Sequence, residues 1–386
     1  MQDLHLHSHF SFDSNTNPEE NVKSAIKNKI KIMAFTDHLD NFCQNDRDIS
    51  FDLDEYFSTI YKLREKYKNQ IKILAGIEIG LAYENANKID KFIDENPFDF
   101  VIGSIHAVEF KDVWLNRKNI ENNPKHYYRK YYKYMLDSVK SCKNFSVLGH
   151  IDYIDRYLED KSVIPDFSFY EDLIEEILKE LIKTNRAFEY NTAGFRNNLS
   201  YANPKDEILE KYKNLGGETI TLGSDSHFPD TISYKINDGI KHLKDLGFDH
   251  ISYFENKKEK IMNAALKIFQ EKGAEKTSVR DIMTEAGYGL GTFYLYYTDK
   301  NDLEEKMVLN IGTQIILNAE KMCKETDPIE RYISFVNYII DYLIAHPFEL
   351  DLLSKNITWT LYTKIENDYG LSEADSTLKY ILNKYD

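Results

Sequence analysis

Ile220-Thr221-Leu222-Gly223-Ser224-Asp225-Ser226-His227 passes from an apolar run into a carboxylate and an imidazole. Such a run with a polar tip reads as a buried parallel strand whose C-terminal end opens onto a site. Six further stretches in the first 230 residues repeat the pattern. They are Leu4-His5-Leu6-His7, Ile32-Met33-Ala34-Phe35-Thr36-Asp37-His38, Ile73-Leu74-Ala75-Gly76-Ile77-Glu78, Phe100-Val101-Ile102-Gly103-Ser104-Ile105-His106, Val147-Leu148-Gly149-His150 and Ala187-Phe188-Glu189-Tyr190-Asn191. Around one barrel mouth these tips would gather imidazoles and carboxylates in a single cup.

Helical periodicity fills the intervals, at 18–26, 53–67, 86–96, 127–143, 169–184, 206–215 and 234–246. Asn17 reads as an N-cap before a first-turn proline, Pro18, and Gly216-Gly217 stops the helix before the last strand. Every strand-to-strand interval is long enough for a right-handed crossover. The expected fold class is α/β, a closed or nearly closed barrel of seven strands. Near residue 255 the texture changes, and only helical patterns follow, at 261–269, 279–286, 293–297, 303–323, 328–345 and 348–367. The chain therefore divides into a barrel at 1–256, a small helical module at 257–306 and a helical segment at 307–386. The stripe at 333–343 reads as a packing or dimer surface, which makes a homodimer one expected state.

The 386 residues carry 64 Asp+Glu against 49 Lys+Arg, a balance that disfavours polyanion binding by the whole chain. Cys43, Cys142 and Cys323 are far apart and form no CxxC, as in a reducing compartment. The sequence enters Asp3-Leu4-His5 without a basic segment and apolar core, and no apolar run approaches the ~20 residues of a membrane helix. No membrane partner and a cytoplasmic location are expected.

His5-x-His7 places two imidazoles on one side of a strand, because strand side chains alternate. HxH alone is weak, but Asp13, His38, Glu78, His106, His150, Asp225 and His227 also stand at or just past the other strand ends or in the loops beyond them. Histidine and carboxylate without cysteine suit Zn, Mn or Fe(II), and do not suit a structural thiolate site. Asp37 and Asp152 adjoin these histidines and could orient an imidazole or start a helix. His9 would share the face of His5 and His7, and reads as solvent-facing or supporting.

Together, Asp3-Leu4-His5-Leu6-His7-Ser8 with Phe10-Ser11 and Asp13, Thr36-Asp37-His38, Gly76-Ile77-Glu78, Gly103-Ser104-Ile105-His106, Gly149-His150-Ile151-Asp152, Asn191-Thr192-Ala193-Gly194-Phe195-Arg196 and Gly223-Ser224-Asp225-Ser226-His227 resemble the PHP (polymerase and histidinol phosphatase) metallophosphoesterase superfamily. The resemblance is greatest to its monofunctional histidinol-phosphatase branch. It implies a distorted (β/α)7, TIM-like barrel with two to three divalent ions (Zn, Mn or Fe) at its C-terminal mouth. It assigns His5, His7, Glu78 and Asp225 to one ion, Glu78 as a bridge with His106 and His150 to a second, and Asp13, His38 and His227 to a third. Many members carry histidine in place of Asp13. Glu78, Asp225 and His227 are the implied catalytic residues.

A phosphate monoester is an anion that bulk water barely attacks. Clustered divalent cations and guanidinium forks answer that problem. Arg196, Arg156 and Arg117 are candidates for holding the phosphate, in that order, and Glu189 and Asn191 for shaping the pocket. The implied substrate is L-histidinol phosphate, whose ammonium and imidazole call for an acidic or aromatic rim such as Glu109, Phe110 or Tyr153. Two alternatives remain open: another small phosphate monoester or nucleotide, and a regulator whose barrel senses a metabolite.

Residues 257–306 are similar to the DNA-binding domain of TetR-type regulators. The match lies in Ile261-Met262-Asn263-Ala264-Ala265-Leu266-Lys267-Ile268-Phe269, Gly273, Thr277-Ser278-Val279-Arg280-Asp281-Ile282, Ala286-Gly287, Gly291-Thr292-Phe293-Tyr294-Leu295-Tyr296-Tyr297 and Lys300. In such a helix-turn-helix, 290–296 enters the major groove, and Thr292, Tyr294 and Tyr296 reach phosphate or bases. Nine basic side chains meet nine acidic ones across 257–306, so the strong positive footprint of a DNA binder is missing. Leu290 stands where the family often has a polar or basic residue. The helices after 306 read as a shortened regulatory half, with 378–386 still helical in pattern as though interrupted. This tail reads either as a working regulator or as a fused, shortened reading frame.

Overall fold

The computed structural model describes residues 1–44, 51–252, 257–294 and 296–356, and separates into two compact units, Met1–Asn256 and Lys257–Asp386.

In the first unit seven parallel strands lie side by side: β1 (Gln2–Leu6), β2 (Ile32–Phe35), β3 (Lys72–Gly80), β4 (Phe100–Ser104), β5 (Val147–Leu148), β6 (Ala187–Asn191) and β7 (Ile220–Gly223). β7 returns to β1 through one bridge, Leu6 with Ser226, where the His7 N–H donates to the Ser226 carbonyl at 2.8 Å. The Asp3 carboxylate ties the same seam by accepting from the Ser224 N–H at 2.8 Å and the Ser224 hydroxyl at 2.6 Å. The barrel is thus nearly closed.

Each strand runs apolar because both its faces are covered. Inside, Leu4, Ala34, Leu74, Phe100, Ile102, Val147 and Ala187 form a small separate cluster that fills the barrel floor. Outside, a larger core packs the strands against helices α1 (Pro18–Lys27), α2 (Leu53–Tyr67), α3 (Ala86–Glu95), α4 (Arg117–Asn122), α5 (Pro124–Ser141), α6 (Glu171–Lys183), α7 (Asp206–Asn214) and α8 (Ile236–Asp245). β1 has a register irregularity between Asp3 and Leu6. Leu4 before it joins the interior cluster and Leu6 after it joins the outer core. That shift is what turns both His5 and His7 inward.

Asn17 caps α1 through its side chain, with Pro18 in the first turn, as expected. α5 begins three residues before the expected 127, because Pro124 fits the first helical position. α4, the two-residue strand His38–Leu39 beside β3, and the hairpin of Ala107–Val108 with Lys111–Asp112 have too few residues to show a period in sequence.

Among the described residues the second unit is all-helical: α9 (Lys257–Lys272), α10 (Val279–Ala286), α11 (Leu290–Phe293), α12 (Lys300–Met322), α13 (Pro328–Ala345) and α14 (Pro347–Asn356). Ser278 and Asp281 form a reciprocal capping box on α10, and Gly287 ends it at φ 75°. The helix expected at 293–297 instead occupies Leu290–Phe293. Asp299 accepts the Asp302 N–H to start α12 afresh, and Phe293 and Tyr297 are both drawn into the core. α13 has no buried residue, and Ile329, Tyr332, Ile333, Ile340 and Ile344 are exposed. The part of the expected 348–367 helix beyond 356, and the 378–386 pattern, lie outside the described residues. Among the described residues no helix is long and apolar enough to cross a membrane.

Candidate metal centre

Glu78, at the end of β3, is the hub of the barrel mouth. Its Oε1 lies 2.8 Å from His150 Nε2 and 3.1 Å from His106 Nε2. Its Oε2 lies 3.0 Å from His5 Nε2, 3.1 Å from His38 Nδ1 and 3.6 Å from His7 Nε2. One carboxylate therefore faces imidazoles from four neighbouring strand ends. Asp225, after β7, places Oδ1 3.3 Å from His7 Nε2 and 3.8 Å from His5 Nε2. Asp13 Oδ2 stands 3.0 Å from His227 Nε2 and 3.5 Å from His38 Nε2.

All nine side chains expected as ligands are thus brought together. They form overlapping sets that could hold an ion: His5, His7 and Asp225; His5, Glu78 and His150; His7, Asp13, His38 and His227; and His38, Asp40 and His106. The partition differs from the expected one. His7 reaches the Asp13 set and His5 reaches the His150 set, and Asp40 was not anticipated. His9 is exposed, its ring against Phe10.

A second ring of groups aims these ligands. Glu189 Oε1 lies 2.7 Å from His5 Nδ1, so a residue expected to shape the pocket instead fixes an imidazole. Both Asp40 oxygens stand 3.0 Å from His106 Nδ1. Ser11 Oγ is 2.9 Å from His7 Nδ1, and Ser104 Oγ donates to Glu78 at 2.6 Å. Carboxylate–imidazole pairs of this kind set the tautomer of a metal ligand. Asp37 takes hydrogen bonds from Ser8 and Ser11, and Asp152 from Asn203 and the Lys205 N–H; neither touches an imidazole directly. Alternation along His38–Leu39 puts Asp40 on the side of His38, a sequence signal that could have found it.

The donor chemistry fits divalent cations. His7 Nε2 and His38 Nδ1 are buried without a hydrogen-bond partner, although carboxylate oxygens surround them. Ring nitrogens and carboxylate oxygens converge there at 3.1 to 3.6 Å. Glu78, Asp225, Glu189 and Asp40 are all buried, a density of negative charge that the neighbouring guanidiniums cannot balance alone. Burial alone would raise the Glu78 carboxyl, but His5, His38 and His106 hold it well below the usual range. Burial opposes charge on His5, yet Glu189, Glu78 and Asp225 outweigh it and hold that imidazole well above its ordinary value. His38 also resists burial and rises to about 9 through Glu78 and Asp13. Burial, with the His227 and His38 rings beside it, lowers His7 to about 3.

Two guanidiniums close one side of the cup. Arg156 donates from Nη1 to Asp225 Oδ2 at 2.6 Å and from Nε to Asn203 at 2.8 Å. Arg196 donates from Nη2 to the Ser224 and Asp225 carbonyls at 2.7 and 2.8 Å. Arg156 Nη2 and Arg196 Nη1 are buried with no protein partner. Asn191 donates to Glu189 at 3.0 Å and to Asp225 at 3.3 Å. Arg117 makes its contacts elsewhere, stacked 4.6 Å over Trp114 and bonded to the Trp114 carbonyl. Of the expected rim, Tyr153 stacks on His150 with centroids 4.8 Å apart, whereas Glu109 pairs with Lys130 and, with Phe110, forms the positive-φ turn of the small hairpin.

Residues 3–193 match the PHP domain family. A histidinol-phosphatase of Lactococcus lactis is 35% identical over 264 residues, spanning 66% of this chain and 95% of that protein. The chain belongs to the histidinol-phosphatase family. A probable histidinol-phosphatase of Clostridium acetobutylicum is 31% identical over 255 residues and 97% of its length. The crystal structure of the Lactococcus lactis histidinol phosphate phosphatase, complexed with zinc, L-histidinol and phosphate, superposes with a TM-score of 0.59 at 33% identity, covering 66% of this chain and 97% of that one.

Beyond the histidinol-phosphatase barrel, residues 261–307 match the bacterial regulatory proteins of the tetR family. An uncharacterised HTH-type transcriptional regulator of Bacillus subtilis is 30% identical over 135 residues, 33% of this chain and 66% of that protein. In this module Tyr294 is exposed, Tyr296 is half-buried against the helical core, and the Thr292 side chain lies outside the described residues.

Proposed function

We propose that the barrel is a metal-dependent phosphatase that hydrolyses L-histidinol phosphate to L-histidinol and phosphate. The observation that carries this reading is the pair of buried, unpartnered guanidinium nitrogens, Arg156 Nη2 and Arg196 Nη1, beside a cup of nine imidazole and carboxylate ligands. Buried N–H groups without acceptors are costly, and a phosphate oxygen is the acceptor whose shape and charge suit two forks at once. The Lactococcus lactis relative, which binds zinc, L-histidinol and phosphate, supports the assignment of substrate and metal.

His5, His7, Asp13, His38, Glu78, His106, His150, Asp225 and His227 would hold two to three ions, zinc among them. When bound, such cations polarise a phosphoryl oxygen and acidify water. The chain's own groups do the rest. Glu78 holds the ligand imidazoles at one spacing. Arg156 and Arg196 orient the phosphate against Asp225. Asn191 fixes the second Asp225 oxygen. Asp225 faces both the cup and the guanidinium pair, His227 stands beside it at the cup's Asp13 edge, and we assign the proton movements of the reaction to these two.

The discriminating experiment is phosphate release by the purified chain from histidinol phosphate, nucleotides and simple phosphate monoesters. A preference of about 100-fold or more for histidinol phosphate is expected; equal turnover of nucleotides would overturn the substrate assignment. Chelation should abolish turnover, and Zn or Mn should restore it.

We further propose that the helical module contacts DNA through its short α11 and Tyr294. Its tetR-family match and the exposure of Tyr294 support this. A gel shift with DNA upstream of the chain's own reading frame tests it, and no shift at low salt would overturn it.

A further inference from the structure

Arg156 follows a single 3-10 turn, Tyr153–Asp155, and Asp152 precedes it. One side chain, Asn203, bridges the two ends of this turn. Asn203 Oδ1 accepts from Arg156 Nε at 2.8 Å, and Asn203 Nδ2 donates to Asp152 Oδ1 at 2.7 Å. Asp152 Oδ2 accepts the Lys205 N–H at 2.9 Å, just ahead of α7. The Asn203 backbone is fixed as well. Its N–H donates to the Asn191 carbonyl at 2.8 Å, and its carbonyl accepts the Asn191 N–H at 2.7 Å, at the end of β6. Asp152 and Asn203 are fully buried and Arg156 nearly so.

Chemistry leaves this bridge one orientation. An arginine Nε–H only donates, so the amide atom facing it must be the oxygen. The amide nitrogen then faces Asp152, whose two oxygens both meet donors. Turned end over end, Asn203 would set N–H against N–H at Arg156 and oxygen against oxygen at Asp152, two buried mismatches. Asp152 therefore acts through Asn203 on the guanidinium.

The bridge also limits how Arg156 meets Asp225. A guanidinium beside a carboxylate frequently closes into two parallel bonds. Arg156 instead gives Asp225 one, from Nη1 to Oδ2 at 2.6 Å, while Asp225 Oδ1 faces His7 and His5. With Nε held by Asn203 and Nη1 by Asp225, two nitrogens of a rigid plane are fixed. The third, Nη2, is left buried with no protein partner among the described residues.

We propose that Asn203, oriented by Asp152, is a positioning residue that holds Arg156 off a two-bond pairing with Asp225 and so keeps Nη2 free for the phosphate. This rests on the phosphatase reading above and adds to it two residues outside the ligand cup.

The test measures binding of inorganic phosphate to the metal-loaded full chain by calorimetry, with kcat and KM on histidinol phosphate beside it. Asn203→Leu keeps the size and removes the bridge. It should weaken phosphate about tenfold and raise KM in step, with bound metal unchanged. Asp152→Asn keeps the shape but sets one amide N–H against a donor, and should weaken phosphate about threefold or more. In an Arg156→Ala background either change should alter phosphate affinity by less than about twofold, because its effect passes through the guanidinium. A residue that merely supports the fold would not show that dependence. Should Asn203→Leu fail to fold, Asp152→Asn decides alone. Wild-type phosphate affinity in a folded bridge variant overturns the proposal, and so does an equal loss in the Arg156→Ala background or a loss of bound metal in step with phosphate. If Arg156→Ala by itself leaves phosphate affinity unchanged, the phosphate seat of the phosphatase reading falls, and the role of Asn203 with it. If Arg156→Ala weakens phosphate and the bridge variants do not, only the positioning role falls.

Discussion

Glu78 is the residue on which the centre turns, because one buried carboxylate meets imidazoles from every side of the cup. Glu78→Ala should lower kcat by about 1000-fold or more and strip bound ions, as read by steady-state kinetics and metal analysis; an active, metal-loaded variant would refute its bridging role. Asp40→Asn keeps the shape but weakens the hold on His106, and should cost about 10- to 100-fold in metal affinity or activity. In the ion-free protein His38 rises to about 9 through Glu78 and Asp13 and so carries a proton at pH 7, and the neighbouring carboxylates hold His5 and His106 well above the ordinary imidazole value. A cation binds only the neutral ring. Ion uptake must therefore release protons, and affinity must rise with pH as His38 loses its proton toward about 9. Calorimetry in buffers of different ionisation heat measures the release; zero protons released at pH 7 would contradict it. The sequence exposed most of the ligands because they are polar breaks at the ends of apolar runs; Asp13, in the loop after β1, is read from the motif instead. Asp40 is signalled only by its alternation with His38, and Ser11 and Ser104 stay hidden, because their roles depend on which ligand atom they reach, a fact of distance and not of pattern.

At the scale of elements, the strands were legible because both their faces are buried, and α2, α10 and α13 because their caps and period agree. The hairpin after His106 and α4 were not, since so short a run carries no period. The shared set of His7 with Asp13 and His227 was hidden too, because it arises where β7 folds back on β1. Gly223 shows how tightly that fold-back is made. A Cβ there would stand 2.4 Å from Glu189 Oε1 and 2.4 Å from His5 Cβ. Gly223→Ala should destabilise the barrel by about 1–3 kcal/mol and lower activity through His5, as read by thermal melting and kinetics; a neutral substitution would show that the seam yields. On α10, Ser278→Ala breaks the capping box and should cost about 1 kcal/mol, confined to the helical unit.

At the scale of the whole chain, the two units have separate cores, one around the barrel and one around Ile261, Phe269, Phe293 and Leu303. Every ligand and both guanidiniums belong to the first. Removing residues 257–386 should leave kcat on histidinol phosphate within about twofold. An insoluble or inactive barrel would show that the helical unit supports it.

The seam of the barrel has one further consequence. His5 and His7 lie at the end of the first strand and Asp225 and His227 beyond the last, yet they share ion-holding sets. A ribosome exposes the earliest of these donors more than 200 residues before the latest. The nascent polypeptide thus cannot assemble its full cation cage during most of its synthesis, and metallation becomes the closing act of maturation, a clasp fastened only after the circle is drawn.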